Sequence, residues 1–295
     1  TVGALFDPSR QLIDGPTNAV SIALLGAIGA LPPEQRVQAA VLMAFMIGVV
    51  QLLIAFARLG DLTRYVSHSV IVGFTAGASL LLVFDQLKNL LGQSAVGDVH
   101  DHFLWRFWQS LTDGGPIHGP TLIIGLSSIA LVVLLRWIKR KLNVPPLPEF
   151  LITVVAMAVI TYVYRLDQQG VRVIGDIPAA LPKPQLPRFD YTWIRTYASS
   201  ALAIALLGLL EAIAMAKAIA AVTRQKLDLN QQCLSEGVAN FTGSFFSCMP
   251  GSGSLTRSAI NQQAGARTQW AGVVSAIAVA VTVLLLAPYA RYIPR

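Results

Sequence analysis

The 295 residues are 54% hydrophobic and only 13% charged, with a mean hydropathy of +0.60. Soluble domains carry about 25% charged residues, so this composition excludes a water-soluble fold and points to an integral membrane protein. The formal net charge of +7 does not indicate nucleic acid, because the basic residues lie between apolar runs and form no single patch.

A helix that spans a bilayer needs about 20 mostly apolar residues. Runs of that kind predict spans over 36–57, 69–92, 119–138, 146–164, 199–221 and 266–288, with weaker ones at 16–31 and 231–247. The chain begins at Thr1 with no secretory leader, and it reads as a stretch of a longer protein.

The first break in apolar sequence is Asp14-Gly15-Pro16-Thr17-Asn18, which opens a short helix. Pro16 suits the first helical position, where its missing N–H is not needed. The stretch 61–68 resembles a short interfacial linker, and Trp105, Phe107 and Trp108 read as an aromatic belt on the external side. The connections alternate in charge. Arg58 and Arg64 form one basic set, Arg136, Lys139, Arg140 and Lys141 a second, Arg224 and Lys226 a third, and Arg267 a fourth. The others hold Asp98, Asp101, Asp113, Asp167 and Asp176, so the positive-inside rule places the basic set in the cytoplasm. His100, His102 and His118 then fall outside as solvated loop residues. The Val/Ile run at 171–177, with four prolines between 178 and 187, reads as an ordered external loop.

Glu211 lies deep in the 199–221 run. A carboxyl group there is costly unless it is protonated, paired or coupled to an ion. It is read either as a proton carrier or as a fixed partner for Arg257 or for a residue outside this stretch. Lys217, nearer the cytoplasmic end, is long enough to snorkel. Asp85, Lys88, Asn89, Glu236 and Asn240 are read as interface or packing residues.

The second break, Met249-Pro250-Gly251-Ser252-Gly253, leads into a polar helix over 251–263. Thirteen residues at about 1.5 Å each cover only half a bilayer. Irregular backbone at membrane depth is tolerated only where protein buries it or a cavity solvates it. Short, Gly/Pro-broken segments at matching places in two halves are the sequence mark of a transporter site. Two opposed half-helix N-termini would turn free N–H groups on one cavity, which suits an oxyanion. Ser254 and Thr256 add hydroxyls, and Arg257 shares a helix face with Ser254.

Other chemistries fit less well. An intramembrane serine hydrolase needs a base near Ser252 or Ser254, and no histidine follows His118. There is no nucleotide loop, no third glycine of a dinucleotide fingerprint, and no metal spacing around Cys233 or Cys248. No cofactor is expected, and no enzymatic activity. A membrane sensor or motor that binds an anion without moving it would keep the same site.

These residues resemble the sulfate permease family, the SulP or solute carrier 26 anion transporters. The resemblance covers nearly the whole chain. It runs through Arg10-Gln-Leu-Ile-Asp-Gly-Pro-Thr-Asn-Ala-Val-Ser21, Val72-Gly-Phe-Thr-Ala-Gly-Ala with Gln86-Leu-Lys88, and Gly175-Asp-Ile-Pro-Ala-Ala-Leu-Pro182. It is densest in Gly208-Leu-Leu-Glu-Ala-Ile-Ala-Met-Ala-Lys217, Gly237-Val-Ala-Asn-Phe-Thr-Gly-Ser-Phe-Phe246 and Gly253-Ser-Leu-Thr-Arg-Ser-Ala-Ile-Asn261, with Ala264-Gly-Ala-Arg-Thr268.

The resemblance implies an all-α polytopic membrane protein with two inverted repeats of seven segments. This chain would run from the third segment to the eleventh, without the cytoplasmic STAS domain. Residues 1–66 and 191–295 would belong to a core domain, residues 67–190 to a gate domain, and a short strand would precede each half-helix. The anion would sit at Gly15, Pro16 and Thr17 on one side and Gly253, Ser254, Leu255, Thr256 and Arg257 on the other, with Glu211 as proton carrier. The implied function is proton-coupled sulfate uptake across the plasma membrane by a homodimer among lipids. Chloride/bicarbonate exchange and sodium-coupled bicarbonate transport are the alternatives. Asp14 departs from the pattern by placing negative charge beside the site, and it is expected to point away as a helix cap. Thr256 stands where many relatives have serine, and it keeps a hydroxyl.

Overall fold

A computed structural model of the chain describes residues 2–60, 68–93, 96, 103–142 and 148–294. The elements in order are α1 (Val2–Phe6), β1 (Asp14–Gly15), α2 (Asn18–Ile28), α3 (Pro33–Phe56), α4 (His68–Leu91), α5 (Phe103–Asp113), α6 (Gly119–Leu142), α7 (Glu149–Val163), α8 (Tyr191–Thr223), α9 (Leu229–Ser244), β2 (Ser252–Gly253), α10 (Leu255–Gln263) and α11 (Trp270–Ala290). Among the described residues, α3, α6, α8 and α11 are long and apolar enough to cross a membrane, and α2 and α7 are shorter apolar helices. Arg64 and most of the 61–68 linker, Asp98, Asp101, His100 and His102 lie outside the described residues.

Local chemistry explains where the expected boundaries move. Asp190 caps α8, its carboxylate accepting from Thr192 N at 2.8 Å and Trp193 N at 3.2 Å. The helix therefore starts eight residues before the apolar run does, and its 33 residues exceed what a bilayer core requires. The basic cluster placed in the 138–146 connection belongs instead to the end of α6, where Lys139, Arg140 and Lys141 form the last turn. Cations there meet the negative end of the helix dipole. Glu149, at the start of α7, binds two of these residues, Lys139 at 3.3 Å and Arg136 at 3.5 Å. Trp105, Phe107 and Trp108 lie on α5, with Phe107 stacked on Phe84 and both tryptophans exposed. His118 is half-buried and contacts Thr121 at 2.8 Å, so it is not simply a solvated loop residue.

The chain divides into two compact units, 1–78 with 182–279, and 79–181 with 280–295. In the second unit, Val173 bridges to Pro294 and Asp176 pairs with Arg291, so the proline-rich loop is anchored at its start. The first unit is built around α3, α8 and α9. Val20, Leu24 and Ile28 of α2 pack on Ala39, Met43 and Ile47 of α3 and on Tyr197, Ala201, Ile204 and Ala205 of α8. Ala201, Ala205, Gly208, Ala212 and Ala216 line the buried face of α8. Small residues at this spacing bring backbones into contact, which is how helices associate where lipid removes the hydrophobic drive.

Candidate functional site

The irregular segments before α2 and α10 meet as a two-stranded antiparallel ladder, with Asp14 opposite Gly253 and Gly15 opposite Ser252. Ser254 N donates to Ile13 O at 2.9 Å, and Ser258 Oγ accepts from Ile13 N at 2.9 Å. These bonds supply the partners that exposed backbone at membrane depth would lack. The ladder is also fastened to the helices behind it. Ser252 Oγ donates to Gly208 O at 2.7 Å. The Asn240 amide takes both faces of Gly251, accepting from its N at 2.8 Å and donating to its O at 3.1 Å. The same amide donates to Gln51 Oε1 at 2.9 Å, and Gln51 Nε2 donates to Ala205 O at 3.3 Å. Gly253 has to be glycine for space, because a Cβ there would stand 2.9 Å from Ala212 Cα of α8.

The two half-helices thus start from paired strands. Pro16 remains outside α2, and Thr17 is the N-cap, its hydroxyl accepting from Val20 N at 3.4 Å. The first residue of the second half-helix is Leu255, four residues later than the sequence expectation, because 252–253 are extended. Ser254 is its N-cap but makes no side-chain capping bond. Its buried hydroxyl lies 3.5 Å from that of Thr256.

Arg257 is exposed at the first turn of α10, and its guanidinium donates to the Pro16 carbonyl. The same guanidinium covers Gly15, where a side chain would displace it. Glu211 approaches from α8 and accepts from Thr17 Oγ1 at 2.8 Å. The structure therefore brings together Gly15, Pro16, Thr17, Glu211, Gly253, Ser254 and Arg257 around the two helix starts. Thr256 is exposed beside Ser254. Leu255 differs, since it is partly buried against the apolar cluster of Leu12, Ala214, Met215, Ala216 and Ile219. Of the two readings of Glu211, the fixed pair with Arg257 is not what the geometry shows. Its hydrogen bond is to Thr17.

Such an arrangement can hold an anion. Helix N-termini present N–H groups without internal partners. The dipoles add partial positive charge, and Arg257 adds a full one. Sequence reasoning missed Gln51 and read Asn240 as an interface or packing residue without its link to the site, which the two amides frame together. Their signal was present, since an amide deep in an apolar helix needs a partner. Asp14 caps no helix, and its carboxyl is buried against α1 and α9.

The sulfate permease family model matches residues 1–295. The chain is 31% identical over 302 residues to the chloroplastic sulfate transporter 4.1 of Arabidopsis thaliana, covering 100% of this chain and 43% of that protein. It is 30% identical over 305 residues to the high affinity sulfate transporter 2 of Stylosanthes hamata, covering 99% and 46%. The chain spans a little under half the length of these relatives. Among solved structures, the transmembrane domain of the cyanobacterial bicarbonate transporter BicA is similar with a TM-score of 0.77 and 24% identity, covering 99% of this chain and 74% of that one. Murine solute carrier 26 family member A9, an anion transporter in its inward-facing state, gives a TM-score of 0.83 at 21% identity, covering 99% and 52%. The helices with two short strands therefore follow the membrane fold of these transporters.

Proposed function

The chain belongs to the sulfate permease family, and from that premise we propose that it is the membrane part of a secondary active transporter for an inorganic anion, sulfate first, coupled to protons. The observation that carries the reading is the bridge from Arg257 on the second half-helix to Pro16 at the start of the first. It sets a fixed positive charge where two helix dipoles converge. A doubly charged oxyanion uses that charge and the N–H donors of both helix starts. Ser254 and Thr256 contribute hydroxyls, the bare Gly15 lets the Arg257 guanidinium lie across the first helix start, and the bare Gly253 lets β2 lie against α8. Glu211, held by Thr17, is the proton carrier, because loading it removes one negative charge from the surroundings of the anion.

Residues 1–66 and 191–295 act as the core part and 67–190 as the gate part of an alternating-access cycle. Division of the chain into compact units near residues 78 and 182 supports this assignment, with 280–295 grouping on the gate side. The protein works in the plasma membrane as a homodimer. No chemistry is performed on the substrate.

The test is labelled sulfate uptake into proteoliposomes by the full-length parent protein, with and without an inward proton gradient. Stimulation by the gradient is the expected result. Uptake indifferent to the gradient but driven by internal chloride or bicarbonate would replace symport with exchange. Binding without uptake would favour a sensor or motor.

A further inference from the structure

Beside β1, three acidic side chains close on one another inside the first compact unit. Glu236 of α9 is fully buried and Asp7 is 1% exposed. The carboxyls of Asp14 and Glu236 face each other at hydrogen-bonding range, with Asp7 close behind. Yet among the described residues both oxygens of Asp14, both of Glu236 and Oδ2 of Asp7 are buried and take no hydrogen bond from any donor. Oδ1 of Asp7 is satisfied by Ser9 N at 2.8 Å.

The backbone enforces this proximity. Ser235 Oγ donates to Gly3 O at 2.9 Å, tying α1 to α9. A Cβ on Gly3 would stand 2.8 Å from Ala239 Cβ and 3.2 Å from Asp14 Oδ2. Ser235 and Ala239 flank Glu236 on α9, so α1 presses the Asp14 carboxyl against that stretch of helix. Among the described residues, the other charges that act on the pair are Arg257 on α10, which acts on Asp14, and Asp7 and Glu211, which both oppose charge on Glu236. From α3, which packs on α9, the neutral Gln51 reaches Asn240, one turn beyond Glu236. One turn before Glu236, Gln232 is fully buried, and neither of its amide atoms has a partner among the described residues.

Two bare carboxylates cannot make a hydrogen bond, because neither carries a donor, and buried together they repel. One proton between them removes both problems. A proton supplies the missing donor and cancels one charge with no further ligand needed. We propose that Asp14 and Glu236 share one proton, in a proton-holding site separate from Glu211, which fastens strand β1, and through it the first half-helix, to α9.

The proposal goes beyond the transport reading, and its test needs neither sulfate nor uptake. Infrared spectra of the full-length parent protein, compared in water and heavy water near neutral pH, report protonated carboxyl groups directly. A protonated-carboxyl stretch that survives Glu211→Gln and disappears in Glu236→Gln is the expected result. Glu236→Gln keeps the shape and offers Asp14 an amide N–H. Should that variant fold poorly, Asp14→Asn removes the same band. A native protein that lacks the band, or a band unchanged in a folded Glu236→Gln or Asp14→Asn variant, overturns the proposal.

Thermal unfolding against pH gives a second readout. The native pair binds a proton that the same carboxyls release when the chain unfolds at neutral pH. Stability therefore falls as pH rises through the titration of the pair. Glu236→Gln flattens that fall, and an equally steep fall in the variant would contradict the shared proton.

Discussion

The two half-helices look alike in the sequence but end differently. At the start of α2 the Thr17 hydroxyl is engaged twice, accepting from Val20 N and donating to Glu211. At the start of α10 the Ser254 hydroxyl caps nothing and meets only Thr256 at 3.5 Å. The first helix is apolar and buries Val20, Leu24 and Ile28 in the core. The second is polar and buries only Ser258. The first end is thus wired to a titratable group, whereas the second is left available to a ligand. In the function proposed above, an anion and a proton are handled at adjacent helix starts without competing for one donor.

The largest expected effect breaks the second end. Arg257→Ala removes charge-assisted hydrogen bonds worth about 1.5–3 kcal/mol, or roughly tenfold to a hundredfold in sulfate affinity. Sulfate uptake should lose saturation at the wild-type concentration range while thermal unfolding of the protein stays cooperative. Gly253→Val comes next, through a different route. It drives a side chain into Ala212 of α8 and should destabilise by about 1–3 kcal/mol, read as a drop in melting temperature. An unchanged melting temperature would mean that the strand and helix are not in contact.

Glu211→Gln sharpens the comparison from the first end. Uptake should persist at saturating sulfate but lose its stimulation by an inward proton gradient. Retained stimulation would make Glu211 a structural partner of Thr17. The smallest effects separate neighbouring hydroxyls. Ser254→Ala should weaken sulfate affinity by a net hydrogen bond of about 0.5–1.5 kcal/mol, whereas Thr17→Val should alter the pH dependence of uptake more than its sulfate affinity. If the two variants behaved identically, the division between the two ends would fail.

Much of this frame was legible in the sequence. The apolar runs located the long helices to within a few residues at most ends, because bilayer thickness sets their length. The clearest miss at an end, α8, came from a cap. Asp190 sits in polar sequence and extends the helix beyond its apolar stretch. The breaks around 15–17 and 254–257 were legible as half-helix starts, because polar, Gly/Pro-broken sequence between apolar runs must be buried by protein or solvated. What the sequence could not give was pairing across long separations. Residue 14 meets residue 253, residue 51 meets 240, and residue 14 faces 236 only once the chain is folded. Asp14 was therefore expected to cap a helix, and Glu236 to be a packing residue. Neither residue carries a local pattern that announces the other.

The central claim is that the anion rests at the paired helix starts with Arg257 as its charge partner. The most direct measurement is a titration of sulfate into the purified full-length protein by calorimetry at constant ionic strength, with the Arg257→Ala and Glu211→Gln variants alongside. The account predicts saturable binding to the native protein, loss of most of that affinity in Arg257→Ala, and retained binding in Glu211→Gln. Native-like affinity in a folded Arg257→Ala protein would contradict it.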